Sequence, residues 1–147
     1  MEPRVTTFQP PEQFNIADYF LDDRIRGGRG ERIALRTDAR DYTYAEVAAL
    51  ANRFGNLLRE SGVEPEQRVI IALPDGPEFV GALFGTLKIG AVVVMVNPHL
   101  RRDALEYFFD YTRAAVALVD PETLETFQAA TAGARHLKRL IVVDAEL

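Results

Sequence analysis

Four apolar runs, "RVIIAL" (68–73), "AVVVMV" (91–96), "AAVALVD" (114–120) and "RLIVVD" (139–144), recur along the chain with a helix-length segment in each gap. Apolar runs without alternation mark strands buried on both faces, and the segments between them supply the covering helices. The spacing predicts helices from Pro77 to Ile89, from about Arg102 to Thr112 and from about Pro121 to Thr131. Strand-helix repeats of this length close right-handed crossovers, so the expected fold class is α/β: a parallel sheet with flanking helices, built of βαβ repeats. In such sheets ligands bind beyond the carboxyl ends of the strands. The second run stops there at Asn97-Pro98, because proline cannot donate to the ladder and biases its predecessor away from helix.

Ahead of the repeats lie an N-terminal helix and a short β-hairpin. Residues 1–14 hold three prolines and no periodic pattern and read as an extended arm; residues 15–147 read as the α/β portion. In "NIADYFLDDRI" Asn15 is placed as N-cap and Asp18 in the first turn, with Ile16, Tyr19 and Phe20 at helical spacing, and "RGGRGER" ends the helix. That glycine-arginine cluster follows no strand and opens no helix, the setting a phosphate cradle needs, so it reads as a connector. "RIALRT" and "RDYTY" flank "DA" in a hairpin pattern. Thr43 and Glu46 then form a T-x-x-E capping box, and Val47, Leu50, Ala51, Phe54 and Leu58 keep helical spacing until Gly62.

Composition narrows the function. The 147 residues carry 17 Lys and Arg against 22 Asp and Glu, a net charge of −5, and neither sign is gathered into a block suited to nucleic acid or anionic lipid. Without cysteine there is no disulfide, thiol nucleophile or zinc-thiolate site, and two histidines make a histidine-rich metal site a poor expectation. No apolar run approaches the about 20 residues of a spanning helix, and "MEPRVTTFQPPEQF" does not read as a signal peptide. The expectation is a cytoplasmic protein with no nucleic-acid or membrane partner.

Chemistry-bearing motifs are sparse. Where a dinucleotide fold would show G-x-G-x-x-G the chain reads "PDGPEF", a turn and helix start with Asp75 or Gly76 as cap and Pro77 in the first turn. No P-loop occurs. Asp120 and Asp144 end strands, but the first run ends in Leu73-Pro74 without the acidic pair of a phospho-acceptor, and Asp120-Pro121 reads as an N-cap followed by proline. His99 sits at a strand end with no Ser or Cys nearby, and His136 lies between Arg135 and Lys138, so both read as loop histidines. Lys88 stands at a helix end, where a cation faces the helix dipole favourably. No catalytic residue and no metal ligand is assigned.

"YTYAEV" (42–47) and "LKIGAVVVMVNP" (87–98) resemble the first two core motifs of the adenylate-forming superfamily, which includes acyl-CoA and aryl-CoA synthetases, adenylation domains and luciferases. "FNIADYFLDDRI", "ERIALR" and "ALPDGPEFVGALFGTLKIGAVVVMVNPHL" are similar to the start of benzoate-CoA ligases and related aryl-CoA ligases.

The resemblance implies part of the large N-terminal domain of an enzyme that uses ATP and Mg2+ to turn an aryl carboxylic acid into an acyl-adenylate and then passes the acyl group to CoA. The family's phosphate loop, adenine and ribose motifs, hinge and C-terminal lysine do not occur in these 147 residues. The chain is accordingly expected to be an N-terminal portion of a longer enzyme, inactive alone and binding none of these cofactors tightly. Met1 is consistent with a true N-terminus and "VVDAEL" with a cut. An adenylation enzyme that loads a carrier protein and a free-standing α/β binding module are the alternatives. By resemblance, Lys88 is the candidate contact for the 3′-phosphate of CoA. A sheet taken from a larger lobe is also expected to expose edges that favour self-association.

Overall fold

The computed structural model describes residues 9–144. The arm expected over 1–14 lies outside the described residues up to position 8, and residues 9–14 carry no helix or strand. Asn15 then caps the first helical segment, its Oδ1 accepting the N–H of Ala17 at 2.9 Å and of Asp18 at 3.3 Å. The segment is wound in two π-helical turns, Asp18–Asp22 and Ile25–Arg29. Its helical geometry breaks at Gly28, inside the glycine cluster that the sequence marks as its end. Gly28, at φ +74°, supplies the left-handed backbone there, and Arg26 reaches back to both carboxylate oxygens of Asp18 at 2.7 and 3.0 Å.

Strands β1 (Ile33–Arg36) and β2 (Asp41–Thr43) pair antiparallel with a register shift between Ile33 and Leu35, forming the expected hairpin. Helix α1 (Tyr44–Glu60) begins at the complete capping box: the Glu46 N–H donates to Thr43 Oγ1 at 3.2 Å, and the Thr43 N–H donates to Glu46 Oε2 at 2.8 Å. It ends at Ser61, followed by Gly62 at φ +79°.

Strands β3 (Arg68–Ala72), β4 (Val92–Met95), β5 (Val116–Val119) and β6 (Arg139–Val142) form one parallel sheet in the order β4-β3-β5-β6. Helix α2 (Pro77–Lys88) links β3 to β4, α3 (Arg102–Thr112) links β4 to β5, and α4 (Leu124–Ala130), continued by a 3-10 turn at Thr131–Gly133, links β5 to β6. Period-two alternation divides the two central strands between two cores. Val69, Ile71, Val116 and Leu118 pack with Phe54 and Leu58 of α1 and Ala82 of α2. Ile70, Ala117 and Val119 pack with Leu105 and Phe109 of α3 and Phe127 of α4. Both faces are therefore covered, which is why these strands read as continuous apolar runs.

The last helix starts later than its sequence suggests. Asp120 accepts the Thr123 N–H on Oδ1 at 2.9 Å and the Thr123 hydroxyl on Oδ2 at 3.1 Å, which folds Pro121–Thr123 into a turn before α4 begins at Leu124. Asp120 thus caps a turn that contains Pro121 and is not the N-cap of the helix. No helix among the described residues is long and apolar enough to cross a membrane.

Candidate functional site

The chain leaves β3 toward β4 on one side of the sheet and leaves β5 toward β6 on the other. The direction of winding thus reverses between β3 and β5, and a crevice opens beyond their carboxyl ends. It holds about 190 Å³ and is lined by the loop Leu73–Gly76, Glu78, Asp120, Pro121, Val143 and Asp144. Gly76 caps α2 without a side-chain hydrogen bond and Pro77 follows, so the first N–H groups of α2 lie beside this crevice. Asn97-Pro98, singled out by its position in the sequence, follows the outer strand β4. Asn97 Oδ1 accepts the His99 N–H at 2.9 Å, which turns the chain away.

A second depression, of about 280 Å³, lies between α1 and the end of α2. It is lined by Ala51, Asn52, Gly55, Asn56, Arg59, Lys88 and Ile89. Asn52, Asn56 and Arg59 recur at i, i+4 and i+7 and so share one face of α1. Lys88 reaches the same place from α2. Its ammonium donates to Asp22 Oδ1 at 2.7 Å and to Asn52 Oδ1 at 2.8 Å, and the side chain keeps only 17% of its surface in solvent. Asp22 is 29% exposed and comes from the first π-helical turn. Beside it, Asn15 Nδ2 donates to the Leu87 carbonyl at 2.7 Å, so one segment contacts the end of α2 twice.

Of the residues singled out in the sequence, Lys88 lines this depression, whereas Asp120 and Asp144 line the strand-end crevice. His99 and His136 are exposed on separate loops. Arg59, Asn56 and Asp22 were not legible as members of a site. The spacing of 52, 56 and 59 is a signal for the first two once α1 is known to face α2; nothing local in the sequence marks Asp22. No group of three or more His, Cys, Asp or Glu side chains that could hold a metal ion occurs among the described residues.

Two further ion pairs lie outside these depressions. The Arg26 guanidinium hydrogen-bonded to Asp18 holds that carboxyl below its usual range. Glu46 is lowered first by the Thr43 N–H of the capping box and then by Arg40, whose guanidinium lies 2.7 Å from it and 3.7 Å from the centre of the Tyr42 ring.

The family model described as AMP-binding enzyme matches residues 22–147. The 3-hydroxybenzoate–CoA/4-hydroxybenzoate–CoA ligase of Thauera aromatica is 37% identical over 120 residues, which are 82% of this chain and 23% of that protein. The benzoate–CoA ligase of Thauera aromatica is 34% identical over 133 residues, 90% of this chain and 25% of that protein. Among solved structures, an anthranilate CoA ligase in complex with anthranoyl-AMP superposes with a TM-score of 0.84 at 30% identity, covering 90% of this chain and 25% of that one. The chain spans about a quarter of the length of the curated relatives it matches.

Proposed function

Because the chain belongs to the AMP-binding enzyme family, we propose that its residues 15–147 are the first α/β portion of the N-terminal domain of a cytoplasmic, ATP-dependent aryl acid–CoA ligase. The observation that carries this reading is the likeness to hydroxybenzoate–CoA and benzoate–CoA ligases, which extends over most of the chain. Such an enzyme joins an aryl carboxylate to AMP with loss of pyrophosphate and then transfers the acyl group to the CoA thiol. Benzoate, a hydroxybenzoate or an aminobenzoate is the acid class.

The described residues suit one of these ligands better than the others. Lys88 and Arg59 bring two cations to one depression, with Asn52 and Asn56 as amide partners, and cations of this kind are what a phosphate group requires. Lys88 is accordingly proposed to meet the 3′-phosphate of CoA. For ATP, the phosphate loop, ribose motif and C-terminal lysine that the family uses do not occur in the sequence. The 147 residues alone are therefore expected neither to form an acyl-adenylate nor to bind ATP tightly.

The test is acid-dependent exchange of pyrophosphate into ATP. The complete ligase should exchange with at least one aryl acid, and the 147-residue chain with none, while circular dichroism of the same chain shows an α/β spectrum. Exchange by the short chain, or none by the complete ligase with any aryl acid, overturns the reading. Within the complete ligase, Lys88→Ala should raise the KM for CoA and leave exchange unchanged.

A further inference from the structure

The ammonium assigned to the phosphate is not free. Lys88 has three N–H donors, and two of them are occupied by Asp22 and Asn52. The third is left for a ligand in the depression. Asn52 is neutral and belongs to α1, so it fixes the ammonium without changing its charge. Asp22 differs on both counts: it is an anion, and it belongs to the π-wound segment ahead of the hairpin. Its carboxylate and Lys88 are both mostly withdrawn from water, so solvent screens them less than it screens the more exposed pairs of this surface.

We propose that Asp22 determines how strongly the α1–α2 depression takes a phosphomonoester, by acting as the resident counter-ion of Lys88. The inference rests on the reading of Lys88 as the CoA phosphate contact. A phosphate arriving beside Lys88 meets an ammonium already paired with the Asp22 carboxylate, and it binds through the remaining N–H donor. Arg59, on the same face as Asn52 and Asn56, supplies the second cation. Asp22 is in this sense a positioning residue. It touches Lys88, and it alters the affinity for phosphate without contacting the phosphate itself.

Asn at position 22 retains the size of the side chain and an oxygen that accepts from Lys88, and removes only the charge. The probes are CoA and dephospho-CoA, which differ by the 3′-phosphate alone, titrated at millimolar concentration into the 147-residue chain and followed by amide shifts in two-dimensional NMR. The unaltered chain should prefer CoA. Asp22→Asn should tighten CoA by roughly two- to fivefold, the range open to a partly exposed ion pair, and leave dephospho-CoA unchanged. Lys88→Ala should abolish the preference. Circular dichroism and dispersed spectra establish that each variant is folded.

The failures are distinguishable. Equal binding of CoA and dephospho-CoA by the unaltered chain, or no binding of either, overturns the Lys88 contact and the inference with it. A preference that Lys88→Ala removes but Asp22→Asn does not increase leaves the contact standing and overturns the role of Asp22. Equal tightening of both ligands by Asp22→Asn also overturns that role, because the effect would then not run through the 3′-phosphate.

Discussion

Gly85 of α2 lies so close to Ala51 of α1 that a Cβ added at Gly85 would stand 2.6 Å from the Ala51 carbonyl oxygen and 2.9 Å from the Gly55 backbone nitrogen. The two helices meet backbone to backbone. In an isolated helix, replacing glycine with alanine gains about 1 kcal/mol. Here the neighbours are main chain that cannot rotate away, and overpacking of this kind costs about 1–3 kcal/mol. Gly85→Ala is therefore expected to destabilise the chain by about 2 kcal/mol in urea unfolding. Gly81→Ala should cost less, since its nearest obstacle is the Leu50 side chain, which can change rotamer.

The capping box gives a pH-dependent prediction. Glu46 has a lower pKa in the fold than its ordinary value of 4.5. A depressed carboxyl adds stability that is fully present above the unfolded value and is lost as pH falls through the folded one. The advantage of the native chain over Glu46→Gln should then be constant above about pH 5 and shrink as pH falls below 4.5. Equilibrium unfolding of both proteins across this range measures it; parallel curves would contradict it. Thr43→Ala, which removes the other half of the box, should cost about 1 kcal/mol.

Asp120 offers a contrast between charge and geometry. Its two oxygens hold the N–H and the hydroxyl of Thr123, which is 6% exposed. Asp120→Ala leaves both groups without that partner and should cost about 1–3 kcal/mol. Asp120→Asn keeps an acceptor for the N–H and should recover part of the loss. Thermal unfolding of the pair checks this ordering.

Phe127 is completely buried and meets Phe109 edge to face, with ring centres 6.3 Å apart at 89°. Truncating such a ring costs about 3–5 kcal/mol. Phe127→Ala should shift the urea midpoint further than any other variant named here, and Phe127→Leu by much less.

The outer strand β4 pairs with β3 alone among the described residues, and it exposes 45% of Val92 and 63% of Met95. An apolar edge strand with no charge on it recruits other chains. Light scattering is expected to show association that grows with concentration and that Met95→Lys suppresses. A monodisperse monomer across a wide concentration range would count against it.

Most of this architecture was legible in the sequence because burial on both faces leaves uninterrupted apolar runs. "RVIIAL" and "AAVALVD" mark the two central strands, and the T-x-x-E box and Gly62 mark the start and end of α1 to within a residue. What was not legible depended on competition or on distance. Asp120 satisfies a turn before it can cap a helix, so α4 starts three residues late. The glycine cluster does interrupt the first helical segment, at Gly28, whose left-handed backbone the sequence could not place to the residue. Lys88 could be singled out from its motif. Its carboxylate partner could not, since 66 residues separate Asp22 from it and pairing at that range is fixed only by how the π-wound segment packs against α2.

The strand order has a consequence for how the chain comes together during synthesis. β3 is made before β4, yet its other neighbour is β5, which is completed only after α3 has crossed back over the sheet. A ribosome that has released β3, α2 and β4 therefore presents a two-stranded apolar ribbon whose inner edge has to stay unpaired until Val116–Val119 emerges. Chains emerge at about 5–20 residues per second, so that interval lasts seconds, far longer than local collapse takes. One of the two central strands is thus the strand that chaperones have the longest opportunity to hold.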